Sequence, residues 1–412
     1  MASFLLHNSN YSGKKETMCS TELELPVKKF YLPQLDGLRF FAFLLIFFCH
    51  FDDAGIYFPN SSVLSRLFSF LHSRGWVGVD LFFVLSAFLI TKLLLLEYKE
   101  NNSISLRAFW IRRILRIWPL YYLMLCICFI ILPLLGILSV PKFGSVAYDD
   151  FARKHLLAHL FFLGNFSTGF YKLTKVVKVK NIPIGHLWTV GLEEQFYILW
   201  PIAFVYLLGK GKKAIYRTLF LLLCFTISFR WFLTYHSVHP MIWTNTFSRL
   251  DPFIFGIILA IYRDNHPGKS KWSILEFIIG LMFILSTMFL KNIGAQSKSV
   301  VVEYPMIAIG FALIIDSSIP QGAINGFFSN KVFVWLGKIS YGLYIYHIIG
   351  IRAGYDISNY LFGPCDKFHI WLEQLFISLG LTILAATISY YYFERIFLKI
   401  KKRYSVIASR PV

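Results

Sequence analysis

The sequence has little charge. Asp, Glu, Lys and Arg make up 15% of its 412 residues, where a soluble domain carries roughly a quarter. Acidic residues are the scarcest, 22 against 41 Lys and Arg, giving a net charge of +19. The six cysteines form no framework. Cys49, Cys126, Cys128 and Cys224 lie inside apolar runs, where an inert packed thiol is expected. Cys126 and Cys128 are two apart and fall on different helix faces. No spacing suits a metal, so no metal ligand is expected. No internal repeat, second domain or low-complexity linker is visible. Residues 1–30 are not a signal peptide, because Lys14, Lys15, Glu16, Glu22, Glu24, Lys28 and Lys29 interrupt them and they hold no long apolar core.

The basic excess contains no run long enough for a nucleic-acid-binding arm, and no nucleic-acid partner is expected. Its plainer reading is positive-inside anchoring in a membrane. Hydrophobic residues make up 57% of the chain and aromatics 18%. They fall in blocks of about 20, the length of a membrane-crossing helix. The expectation is an all-α, polytopic bundle in a lipid bilayer.

Apolar blocks run at 37–58, 76–97, 114–138, 155–170, 188–208, 215–235, 247–263, 272–290, 300–316, 332–350 and 369–397. Lys92, Lys99, Arg107, Arg112, Arg113 and Arg116 put the loop after the second block inside, and with it the N-terminal arm. Lys399, Lys401, Lys402 and Arg403 put the other end inside too. Two inside ends require an even count. The segment 155–170, broken by His155, His159, Gly164 and Asn165, is the weakest candidate and is read as interfacial or re-entrant. About ten spans remain. The organisation is then a polar cytoplasmic arm (1–30), a transmembrane domain (31–397) and a basic cytoplasmic tail (398–412). The role of 139–187 stays open, since its Lys172, Lys175, Lys178 and Lys180 would lie outside.

Within this frame, three stretches carry chemistry. The first block contains Arg39 and His50, eleven apart. At 100° per residue they face within about 20° of each other, roughly 16 Å apart along the axis. Ionisable groups in a span normally face the bundle interior or a wet cavity. Two readings are open: a snorkelling Arg39 with a core-bonded His50, or an imidazole placed as a general base. In FWIRRILRIWPLYY (109–122), Arg113 and Arg116 share a face at the cytoplasmic start of a span. Their planar forks suit phosphate, and plain anchoring also accounts for their charge. In GHLWTVGLEEQFYILWP (185–201), Glu193 and Glu194 stand beside Gln195, His186 and Trp188. A carboxylate there could orient His50 or an acceptor hydroxyl, or pair with Arg39, Arg230 or Arg249. Asp36, Asp80, Arg249, Asp251, Tyr341 and His347 add polar groups. Most of these fall near the outer ends of spans, where they could support an acceptor or simply bond helix to helix.

Taken in order, LDGLR…H (35–50), GVDLFFVLSAFLIT (78–91), RRILRIWPLYY (112–122), HLWTVGLEEQFYILWP (186–201) and GKISYGLYIYH (337–347) resemble the motifs of the acyltransferase-3 family. These membrane proteins acylate bacterial surface glycans. The resemblance covers about 31 to 397. Ala87 stands where the family commonly has glycine, and Thr189-Val190-Gly191 replaces its Ser-Leu-Ser. The resemblance implies ten core helices in the bacterial inner membrane, in the stand-alone form without an SGNH domain. It implies O-acylation of a surface carbohydrate, such as lipopolysaccharide O-antigen or exopolysaccharide, with cytoplasmic acyl-CoA as donor (most often acetyl-CoA) and no bound cofactor. His50 and Glu193 become the catalytic candidates. Arg39, Arg113 and Arg116 become the acyl-CoA-binding candidates. Asp36, Asp80, Trp188, Glu194, Gln195, Arg249, Tyr341 and His347 are expected to bind or support the acceptor. The residues alone also fit a transporter or flippase for a glycan or lipid-linked sugar, since intramembrane His, Glu and Arg mark proton relays. They leave direct transfer and an acyl-histidine intermediate equally open, and they do not give the oligomeric state.

Overall fold

The computed structural model describes residues 30–52, 63–135, 156–167, 183–236, 241–267, 272–288, 298–363, 368–404 and 407. The arm expected over 1–30 lies outside these apart from Phe30, as does most of 139–187. All regular structure among the described residues is helical. The expected all-α bundle is therefore the observed one, and the protein is a multi-pass membrane protein.

Helix α1 (Pro33–His50) starts with proline in its first turn, where the missing N–H costs nothing. It ends at His50, eight residues before the end of the expected block, because Phe51 turns extended. Helix α2 (Val63–Arg74) runs through the turn Gly75–Val77 into α3 (Gly78–Asn101). Helix α4 (Leu106–Cys126) is capped by the Ser105 hydroxyl and continues through a wide turn to Leu134. Then follow α5 (Trp188–Lys210), α6 (Lys212–His236), α7 (Asp251–Asn265), α8 (Ser273–Met288) and α9 (Val300–Ser318). The short α10 (Ala323–Phe328) and α11 (Lys331–Lys338) lead to α12 (Ser340–Phe362) and α13 (Phe368–Ser389). A final α14 (Arg395–Lys402) makes the first part of the expected basic tail a continuation of the last span.

Five stretches are long and apolar enough to cross a membrane: Val63–Asn101, Leu106–Leu134, Lys212–His236, Val300–Ser318 and Phe368–Lys402. The pair α11 and α12, bent by 74°, makes a sixth if taken as one span. The expected ten is not reached on this criterion. Helices α7 and α8 have 15 and 16 residues. Helices α1 and α5 carry the site's own Asp36, Arg39, Glu193 and Glu194, which lower their apolar character.

Close approach places α1. A Cβ on Gly337 would collide with the Asp36 backbone, and one on Gly37 with the Phe328 carbonyl. The first turn of α1, with Asp36 and Arg39, is thus pressed against α10 and α11. Ala87, the departure from the family's glycine, lies fully buried where α3 crosses α7 at Gly256. The bare Gly256 takes up the space of the added methyl.

Candidate active site

Helices α1, α3, α4, α5 and α12 enclose a cavity of about 120 Å³. Its charged lining is Asp36, Arg39, Arg113, Arg116 and Glu193. On α3 the lining runs from Val79 to Leu93, a rise of roughly 21 Å at helical pitch. The remaining wall is apolar and aromatic, including Phe82, Phe83, Ile90, Ile117 and Tyr344.

The three arginines are differently held. Arg39 pairs with Asp36 one turn earlier, and Tyr31 also donates to that carboxylate at 3.0 Å. Arg113 lies over the rings of Phe109 and Tyr197, at 5.5 and 5.6 Å. Its Nε is buried without a hydrogen-bond partner, and a buried donor in that state calls for an acceptor. Arg116 joins it on the cavity wall, as the i,i+3 spacing requires. Guanidinium groups along an apolar channel fit an anionic ligand with an extended arm.

Glu193 accepts from the Ser86 hydroxyl at 2.9 Å, and the Tyr197 hydroxyl donates to Ser86 at 3.1 Å. It therefore belongs to the cavity and not to His50, correcting the expected pairing. Ser86 and Tyr197 were not singled out as site residues. Both left a signal: Ser86 is a hydroxyl in an apolar run, and Tyr197 is four residues from Glu193 on one helix face.

His50 lies one turn beyond Ile46, which lines the cavity. The residue is exposed at the end of α1, and its Nδ1 is 2.9 Å from the Ile46 carbonyl. Its side-chain partner is His347, Nδ1 to Nε2 at 3.3 Å. His347 is fully buried, and His186 packs on it with ring centroids 4.8 Å apart. The Tyr344 hydroxyl donates to the His186 carbonyl at 2.6 Å and contacts Thr189 Oγ1 at 2.5 Å. Tyr344 and Thr189 both line the cavity, so its wall reaches the histidine cluster. Thr189 keeps the hydroxyl of the family's serine. Gly191 is required where α5 meets the Phe162 carbonyl.

Several other candidates hold the scaffold and do not line the cavity. Asp80 and Arg249 form an ion pair at 2.9 Å with neither side chain exposed. Arg230 and Asp251 form a second, also fully buried. Tyr304 stacks on both guanidiniums, at 4.2 and 4.7 Å. Glu194 accepts from the Trp118 indole at 2.9 Å. Gln195 donates to the Phe162 carbonyl and to Asn165, tying down the segment 156–167. That segment forms two short helical turns. Trp188 packs edge-on against Phe83. Tyr341 lines the cavity and donates to the Ile117 carbonyl. No cluster of metal-ligating side chains occurs among the described residues.

Fold and site together define a helical membrane protein with an arginine-lined interior cavity abutting a histidine cluster. The family model for an acyltransferase domain, acyltransferase-3, matches residues 32–392, and the chain belongs to that family. A Staphylococcus aureus (strain COL) protein provisionally named an O-acetyltransferase is 30% identical over 382 residues, which is 90% of this chain and 58% of the relative. The O-acetyltransferase OatA of Staphylococcus aureus (strain NCTC 8325 / PS 47) is 29% identical over 375 residues, 88% of this chain and 57% of the relative. The chain spans less than three-fifths of the length of these curated relatives. No solved structure matches it.

Proposed function

We propose that the protein is a membrane O-acetyltransferase that moves an acetyl group from cytoplasmic acetyl-CoA to a hydroxyl of a surface carbohydrate. The observation that carries this reading is the continuity of the cavity. Arg113 and Arg116 line one part of it, and Ile46, Thr189 and Tyr344 bring its wall to His50 and His347.

In this reading the arginines hold the donor's phosphates from the cytoplasmic side of the inner membrane, where both chain ends also lie. Arg39 steers the pantetheine arm, and the thioester reaches the histidine end. The exposed His50 removes the proton from the acceptor hydroxyl. The hydroxyl oxygen bonds to the acyl carbon and the carbon–sulfur bond breaks. The coenzyme A thiolate then takes the proton back from His50. An acyl group carried on His50 itself reaches the same products in two such exchanges.

The test is a reconstitution in lipid vesicles with labelled acetyl-CoA and a surface glycan, followed by mass spectrometry of the glycan. Wild type should add acetyl groups, and His50→Ala should lower the rate by about 100- to 10,000-fold while still inserting. Near-normal acetylation by that variant would overturn the role of His50. Movement of glycan across the vesicle wall without acetylation would make the protein a transporter instead.

A further inference from the structure

The sequence suggests that His347 supports the acceptor. The structure gives it another task, because none of its surface is exposed. Its Nδ1 lies 2.6 Å from the Tyr344 carbonyl oxygen. A carbonyl only accepts, so the one ring hydrogen of the neutral imidazole is on Nδ1 and Nε2 carries the lone pair. That lone pair faces His50 Nδ1 at 3.3 Å.

His50 Nδ1 also meets the Ile46 carbonyl at 2.9 Å. Both neighbours of this nitrogen accept, so the His50 hydrogen is on Nδ1, shared between them. Nε2 of His50 is left with its lone pair. His186, behind His347, spends its own hydrogen on the Ile345 carbonyl through Nε2 at 3.3 Å. It therefore does not compete for the His347 lone pair through that nitrogen. His72 is engaged at the Phe51 carbonyl through Nδ1 at 2.6 Å.

We infer that His347 is a positioning residue that fixes His50 in its Nδ1–H tautomer and so presents Nε2 as the base toward the acceptor. The consequence for catalysis rests on the acyl-transfer reading; the tautomer itself does not. A carboxylate in this place would hold the imidazolium once formed, as the acid of a serine-protease triad does. A neutral imidazole accepts the same hydrogen bond without pinning the charge. The groups that face His50 electrostatically are themselves histidines: His72 on α2, His186 before α5 and His347 on α12. Glu193 is occupied by Ser86. His50 is thus built to return its proton readily, which suits protonation of a leaving thiolate.

Two measurements on the full chain in lipid nanodiscs test this. Nitrogen-15 histidine spectra of wild type, differenced against His50→Ala, should show His50 protonated at Nδ1 and bare at Nε2. The opposite tautomer overturns the inference whether or not the protein turns over. Kinetically, His347→Leu has similar bulk and no acceptor, and kcat should fall at least about 100-fold with the KM of acetyl-CoA and of acceptor unchanged. His347→Gln, whose amide oxygen can accept from His50, should restore most of that loss. Equal kcat in the two variants also overturns the inference. If wild type transfers no acyl group, the acyl-transfer reading fails alone, because the wild-type spectrum still decides the tautomer. That difference spectrum decides it equally if a His347 variant does not fold.

Discussion

Glu193 accepts a hydrogen bond from Ser86, 2.9 Å away, inside the cavity that also holds Arg113 and Arg116. Both arginines act electrostatically on it. This carboxylate therefore lies in the path proposed for an anionic donor, with Ser86 and not His50 as its hydrogen-bond partner. Glu193→Gln removes the charge and keeps the hydrogen-bonding shape. Its KM for acetyl-CoA should fall by up to about tenfold, the equivalent of about 1.4 kcal/mol of relieved repulsion. The pH dependence of kcat should stay in place. Steady-state kinetics across pH decides it, since a displaced kcat profile would mean that Glu193 acts on His50 after all.

The Asp80–Arg249 pair is a matter of stability. Both side chains have 0% exposure, and removing one partner of a buried pair typically costs about 3–5 kcal/mol because it strands the other charge. Asp80→Leu and Arg249→Met should each lower the thermal midpoint sharply. The double variant should be less damaged than either single one, since it leaves neither charge alone. Thermal denaturation of the purified protein in detergent tests this. A double variant as unstable as the two losses combined would show that the two side chains act independently, Arg249 through its contacts with Trp243 and Tyr304.

The bundle was legible in the sequence because lipid demands long apolar runs, and the helices follow those runs. Where it was misread, a polar feature cut across the run. His50 closes α1 at a point where the apolar block continues past it. The site was half legible. Arg39, Arg113, Arg116 and Glu193 announce themselves as charges in apolar stretches, and they do share one cavity. Partner choice was not legible. Nothing in spacing tells Glu193 to bond Ser86, 107 residues away, or His50 to meet His347, 297 residues away. In sequence Asp80 and Arg249 read equally as acceptor-supporting groups or as helix-to-helix bonds, and only their mutual burial marks them as scaffold.

Arg113 and Arg116 give the most direct check on donor handling. Arg113 offers a buried Nε with no hydrogen-bond partner, and Arg116 shares its face of α4. A hydrogen bond between a charged donor and phosphate contributes about 1.5–3 kcal/mol, or roughly 10- to 150-fold in affinity. Arg113→Gln and Arg116→Gln should each raise the KM for acetyl-CoA within that range, and their losses should not simply add if both hold one phosphate group. The KM for the carbohydrate should not move, because in the proposed reading the acceptor meets the protein at His50. The contrast is measurable with acetyl-phosphopantetheine, which keeps the thioester arm and one phosphate but lacks the nucleotide. If the arginines bind the nucleotide phosphates, the shortened donor should lose the wild-type preference and be indifferent to both substitutions. If it is affected as strongly as acetyl-CoA, the arginines instead grip the phosphate next to the arm, closer to His50. An unchanged KM for acetyl-CoA in the double variant would remove the donor from this cavity altogether.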